Sequence, residues 1–225
     1  MQKEEKNSYR ISNEIAVKFS ENPNFPFLIS FPRTGSHWLR LLMELYFVKP
    51  SLVRAFYYFD ATDFTCYHRH DEDLSIQHQN VIYLYRDIVP TVFSQMNYCN
   101  ENTEDIKRIL YWTEAYAKHL EKWLVSETFT KKKTVLKYER LVDDIKNEFK
   151  KICMHFNADF KEDKLVEVSK QVSKEKLKEK TVHDKQVVNI EPAYEKEKSI
   201  FYKNHFTMIS DTLYKTHPLL EGFFN

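Results

Sequence analysis

Glycine is what this sequence has least of. Typical usage of about 7% would give a chain of this length roughly 16, and it holds 2, Gly35 and Gly222. Where so rare a residue persists, the backbone has a use for it. Cysteine is also scarce: three residues, Cys66, Cys99 and Cys153, cannot all pair and form no CxxC, which excludes a disulfide framework and a cysteine-based zinc site. Excess charge is missing too. Lys+Arg 34 against Asp+Glu 33 leaves +1, so no uniform basic field exists to hold nucleic acid or an anionic membrane, and any anion must be met locally. No run of about 18 apolar residues occurs, and the N-terminus, MQKEEKNSYR, is charged where a leader would be apolar. The expectation is a cytoplasmic chain with no transmembrane segment. With 42% hydrophobic and 30% charged residues over 225 positions, it suits a single globular domain, residues 1–225. Oligomeric state is not legible.

Apolar spacing at Ile11, Ile15 and Phe19 predicts a helix over Asn7 to Phe19. Phe27 to Phe31 is a buried-type strand, followed by a tight loop and a helix through Trp38, Leu41, Leu42 and Leu45. A second such unit pairs a strand at Val81 to Tyr85 with a helix carrying Pro90 in its first turn. A third runs from Thr134 to Tyr138 into a helix through Leu141, Ile145, Phe149, Ile152 and Phe156. Between them lie a strand at Phe64 to His70 and a helix from about Thr103 to Val125. Lys161 to Lys185 reads as a solvated helix, then a mobile stretch to about Ser199, then a helix near Lys203 to Tyr214. Strands alternating with helices make this an α/β chain with a parallel β-sheet flanked by helices.

Two constellations carry chemistry. Arg33-Thr34-Gly35-Ser36-His37-Trp38 joins a strand to a helix, so its backbone N–H groups and the helix dipole converge on one spot where a guanidinium can grip phosphate or sulfate. It lacks the GxxxxGK[ST] of an ordinary ATP or GTP loop. Arg86 follows the second strand, and Ser94 stands eight residues later. Together the two loops resemble the sulfotransferase family, whose 5′-phosphosulfate loop reads approximately YPKSGTTW and whose 3′-phosphate motif is an Arg followed eight residues on by a Ser. Leu136-Lys137-Tyr138-Glu139 is similar to the family's YED strand end, and Lys203-Asn204-His205-Phe206-Thr207 to a KNHFT stretch of cytosolic members.

The resemblance spans roughly residues 27 to 214. It implies a P-loop-like sulfotransferase architecture and the donor 3′-phosphoadenosine 5′-phosphosulfate, with no metal. Arg33, Thr34, Gly35 and Ser36 would hold the 5′-phosphosulfate with the His37 backbone beside them, Trp38 would stack on adenine, Arg86 and Ser94 would bind the 3′-phosphate, and Tyr138 would lie near the nucleotide. Arg33 stands where cytosolic members carry Lys; a guanidinium neutralises charge but does not readily donate a proton. The RKG that precedes KNHFT in those members aligns with Glu195-Lys196-Glu197, keeping only Lys196. Lys178, Lys180, Lys185 and Lys198 are further candidates for the 3′-phosphate. The family's base is a His at the end of the strand before the 3′-phosphate motif, and here both His68 and His70 fall on one strand face. His70 is preferred, with Asp71 or Asp73 orienting its ring and His68 as the alternative. The acceptor would be a hydroxyl compound, glycan or lipid-linked molecules among the candidates, with Phe56, Tyr57, Tyr58, Phe59 and Tyr67 as packing surfaces. Rival readings are a kinase-like phosphoryl transferase, a non-catalytic nucleotide-binding protein and, from the HxHD sequence, a metallohydrolase.

Overall fold

Four short strands pair into one parallel sheet in the computed structural model, which describes residues 9–126, 130–181 and 191–224. In chain order the elements are β1 (Tyr9–Arg10), α1 (Asn13–Ser20), β2 (Phe27–Ser30), α2 (Ser36–Phe47), β3 (Arg54–Ala55), β4 (Tyr67–Arg69), β5 (Asn80–Tyr85), α3 (Ile88–Tyr98) and α4 (Ile106–Leu120). After a π-helical turn at Glu121–Val125 come β6 (Lys132–Lys137), α5 (Tyr138–Asp143), α6 (Ile145–His155), α7 (Glu162–Ser169), α8 (Lys174–Lys180) and α9 (Pro192–Thr216). The sheet order is β4-β2-β5-β6, and β1 pairs with β3 as a separate antiparallel ribbon.

The two central strands are apolar along both faces because both are covered by helices. Along β5, Val81, Tyr83 and Tyr85 join one core with α3, α4 and α9, while Ile82 and Leu84 join another with α2, α6 and α7. The order of the strands matters for function. From β2 the chain moves to β4 on one side, then crosses to β5 on the other, so the direction of winding reverses between β2 and β5. Beyond the carboxyl ends of strands at such a reversal lies the crevice where open α/β sheets bind ligands. Among the described residues no helix is long and apolar enough to cross a membrane.

Several boundaries differ from the sequence expectation. The first helix starts only at Asn13, capped by Ser12, and Tyr9–Arg10 are drawn into the ribbon instead. The expected strand at Phe64 to His70 shrinks to Tyr67–Arg69 because Thr65 and Cys66 bond to the loop at Pro50 and Leu52 rather than to the sheet. Asp105 caps α4 by accepting from the Lys107 and Arg108 amides, which delays its start. Asp144 ends α5 and caps α6, splitting the helix after β6. Ser173 caps a second short helix where one was expected over the Lys/Glu-rich stretch. Residues 182–190 lie outside the described residues and include only the beginning of the predicted mobile stretch; the rest of it, to Ser199, is described and from Pro192 is helical. Pro192 opens α9 eleven residues before Lys203, and buried Phe201, His205, Ile209 and Leu213 hold that helix against the core.

Candidate active site

The loop from β2 to α2 is shaped by two residues in left-handed backbone conformation, Arg33 at φ 72° and Gly35 at φ 95°. Alternation of this kind turns successive N–H groups to one side and forms a concavity suited to an anion. α2 then begins with no side-chain cap and no acidic residue in its first turn, so neither neutralises that positive end. The Thr34 hydroxyl donates to the Phe31 carbonyl at 2.8 Å, closing the loop from beneath. Gly35 is required twice over: its φ is positive, and a Cβ there would stand 2.5 Å from Cδ2 of Tyr138.

The second loop meets the first across the winding reversal. Arg86 is fixed by Tyr116, whose hydroxyl accepts from the Arg86 N–H at 2.9 Å and donates to its carbonyl at 2.7 Å. The Arg86 guanidinium donates to the Arg33 carbonyl at 3.3 Å and lies 4.6 Å from the centre of the Tyr138 ring. Its Nε is buried without a hydrogen-bond partner among the described residues and pairs with Glu139 Oε1 at 3.7 Å. Arg33 Nε in turn donates to Ser94 Oγ at 3.2 Å. Trp38 stands edge-on to Tyr138 at 6.2 Å and donates its Nε1–H to the Val172 carbonyl at 3.1 Å. Arg33, Gly35, Trp38, Arg86, Ser94 and Tyr138, chosen from separate stretches of sequence, thus share one wall.

Lys196 is not brought into that wall by any bond. It is exposed on α9 with no hydrogen bond or ion pair among the described residues. Of the other lysines, Lys178 lies 3.9 Å from Glu191, Lys198 pairs with Glu195 at 3.0 Å, and Lys180 stands over the Tyr57 ring at 4.3 Å. Lys185 lies outside the described residues.

The histidines sit at the carboxyl end of β4. His70 is half-buried immediately past the strand, and its Nδ1 lies 2.9 Å from the Ser30 carbonyl. A carbonyl only accepts, so Nδ1 carries the proton and Nε2 keeps the lone pair. His68 is buried behind it, its Nε2 3.0 Å from Ser30 Oγ and its ring 4.7 Å from that of His70. The expected acidic partners are elsewhere. Asp71, itself left-handed at φ 53°, accepts from Lys122 Nζ at 2.6 Å and Trp123 Nε1 at 3.0 Å, and Asp73 accepts from Ser75. The Ser30 carbonyl does the orienting instead. It was hidden in an apolar run, where Ser30 is the one hydroxyl. Behind His70, its carbonyl accepts from His119 Nε2 at 2.9 Å, and His119 Nδ1 meets the Tyr83 hydroxyl at 2.9 Å. Tyr83 falls in the expected buried strand and Tyr116 in the expected helix without a site role, and nothing in the sequence singles out His119.

Burial keeps these rings neutral. It holds His68 well below the ordinary histidine range, and His119 down to about 4. His70 is lowered by burial, against the bond to Ser30, with Arg40 and Arg33 adding to the decrease. Such groups bind more protons unfolded than folded, so stability is fully present above the unfolded value of about 6.5 and is lost as pH falls. Urea midpoints are expected to drop between pH 6.5 and 4. A midpoint that is flat over that window would contradict the neutral, buried state of His119.

His37, His68 and His70 line a cavity of about 660 Å³. Among the described residues no three His, Cys, Asp or Glu side chains are grouped to hold a metal ion.

A family model for the sulfotransferase domain matches residues 60–216. The match takes in Arg86, Ser94, Tyr138 and both β4 histidines and begins after the β2–α2 loop. Among solved structures, mouse sulfotransferase SULT7A1 complexed with PAP superposes with a TM-score of 0.55 at 15% identity, over 86% of this chain and 89% of that one. No curated protein matches the sequence.

Proposed function

Since the chain belongs to the sulfotransferase domain family, we propose that it moves a sulfuryl group from 3′-phosphoadenosine 5′-phosphosulfate to a hydroxyl acceptor, by in-line displacement with His70 as base and no metal. The observation that carries this reading is the convergence of Arg33, Ser94 and Arg86 at the β2–β5 reversal. The residues fit the donor. The β2–α2 concavity, the uncapped start of α2 and Arg33 suit the 5′-phosphosulfate, held by Arg33, Thr34, Gly35 and Ser36 with the His37 backbone beside them. Arg86, whose buried Nε lacks a hydrogen-bond partner among the described residues, and Ser94 suit the 3′-phosphate. Trp38 would stack on the adenine and Tyr138 would lie near the nucleotide, and Lys196 would have to approach from α9.

When bound, the donor supplies a sulfuryl group already activated by its anhydride link to phosphate. Arg33 and the loop amides neutralise charge on the departing phosphate; because its guanidinium stays charged, Arg33 works as a clamp and not as an acid. His70 Nε2 accepts the proton of the acceptor hydroxyl, and the Ser30 carbonyl holds the ring in the tautomer that can do so. A single domain and a cytoplasmic location belong to the same reading.

Calorimetry tests it. 3′-Phosphoadenosine 5′-phosphate (PAP) is expected to bind far more tightly than ADP, and Arg86→Ala to remove most of the difference. Loss of a charged hydrogen-bonding partner costs about 1.5–3 kcal/mol, roughly tenfold to a hundredfold in affinity. Equal affinity for PAP and ADP would favour phosphoryl transfer instead.

A further inference from the structure

The cavity beside His70 is lined by more cationic side chains than the donor reading uses. Arg40 is 2% exposed, lines the cavity, and has an Nε without a hydrogen-bond partner among the described residues. Its NH1 reaches only Ser51 Oγ, at 3.4 Å. Glu44, one helical turn further along α2, acts on it through its charge but makes no direct contact: its carboxylate accepts from the backbone N–H groups of Phe56, Tyr57 and Tyr58. A buried guanidinium left without its full set of partners is costly unless something else supplies them.

Three more arginines line the same space: Arg10 and Arg54 in the ribbon, and exposed Arg69 on β4. In the β1–β3 ribbon Arg10 stands directly opposite Arg54, and both line the cavity. Like charges opposite one another on an antiparallel pair are about 4.5–5.5 Å apart at Cβ and destabilise it. The combined field is felt by the intervening ring: His37 is held well below the ordinary histidine range by burial, then by Arg40, Arg54 and Arg33. The carboxylates on the cavity wall come from the segment after His70. There Asp71 is taken by Lys122 and Trp123, Asp73 by Ser75, and Glu72 is exposed.

From this we infer that the acceptor is itself an anion: a hydroxyl compound whose carboxylate, phosphate or sulfate group is held by Arg10, Arg40 and Arg54 while its hydroxyl lies at His70. The inference rests on the sulfotransferase reading for the identity of the hydroxyl group as the reacting one. A cavity of about 660 Å³ admits a molecule of monosaccharide or aryl size with both groups. The anion supplies charge and hydrogen-bonding partners to the buried Arg40 and fixes the orientation of the hydroxyl, which a neutral acceptor of the same shape would not do.

The test is equilibrium binding to PAP-saturated protein, which does not depend on turnover. Two matched sets serve as probes: methyl glucoside, its glucuronide and its 6-phosphate; and benzyl alcohol, its 4-carboxylate and its 4-phosphate. A charged member is expected to bind at least about tenfold tighter than its neutral partner, and the carboxylate and phosphate arms show which anion is preferred. Arg10→Gln, at an exposed position, and Arg54→Gln should each reduce that preference about threefold or more, with PAP affinity unchanged, and Arg54→Lys should restore part of it. Equal binding of charged and neutral partners, no binding of any charged member, or a preference that survives both substitutions would overturn the inference. If PAP itself fails to bind, the donor reading falls. The same comparison without PAP, localised by the two arginine variants, then decides the anion site by itself.

Discussion

His70→Ala is expected to lower turnover about 10²–10⁴-fold while PAP binds almost as tightly as before, because the base touches the acceptor and not the donor. The geometry behind this is specific. The Ser30 carbonyl, 2.9 Å from Nδ1, leaves the lone pair on Nε2, and the His119–Tyr83 pair secures the backbone behind the ring. The pH profile adds a second readout. Burial, with Arg40 and Arg33, places the His70 pKa below its ordinary value, so the acidic limb should fall below pH 6.5 and should vanish from the residual rate of the variant. His68→Ala should be milder, since that ring is buried against Ser30 Oγ. An inactive His68→Ala beside an active His70→Ala would exchange the two roles.

Gly35→Ala should damage both fold and donor binding. A left-handed backbone costs an L residue roughly 1–2 kcal/mol, and the new Cβ would press into the Tyr138 ring at 2.5 Å from Cδ2. That ring cannot move without disturbing Arg86, which packs 4.6 Å from its centre. The loss of PAP affinity should therefore be at least as large as for Arg86→Ala, together with a lower urea midpoint. The double variant Gly35→Ala/Tyr138→Ala removes the clash and keeps the backbone strain, so it should regain part of the stability. A single variant with wild-type stability and PAP affinity would mean that the loop does not hold the tight form described.

β2 and β5 were legible because strands covered on both sides are apolar throughout, and Gly35 stood out because the chain has only 2 glycines. What sequence could not show was direction. Asp71 adjoins His70 in the chain, yet its left-handed backbone sends the carboxylate to Lys122, so adjacency suggested a partnership that the turn prevents. The orienting group, a backbone carbonyl from β2, has no side-chain signature. Strand length at β4 was overestimated because Thr65 and Cys66 find partners in a loop. The start of α9 was missed because the predicted helix was tied to the KNHFT stretch, while Pro192 and the apolar spacing before it extend the helix upstream. The arginine cluster went unread since Arg10, Arg40 and Arg54 come together only through the β1–β3 pairing and the packing of α2.

The most direct test of sulfuryl transfer follows the sulfur itself. The protein is incubated with 3′-phosphoadenosine 5′-phosphosulfate labelled at sulfur and an extract of the host's glycans and small hydroxyl metabolites. Label is expected to appear in an acceptor as an O-sulfate ester, with one PAP formed for each ester, and this transfer should be lost in His70→Ala. Tight PAP binding with no label leaving the donor for any compound would contradict the assignment and make the chain a nucleotide-binding protein without turnover.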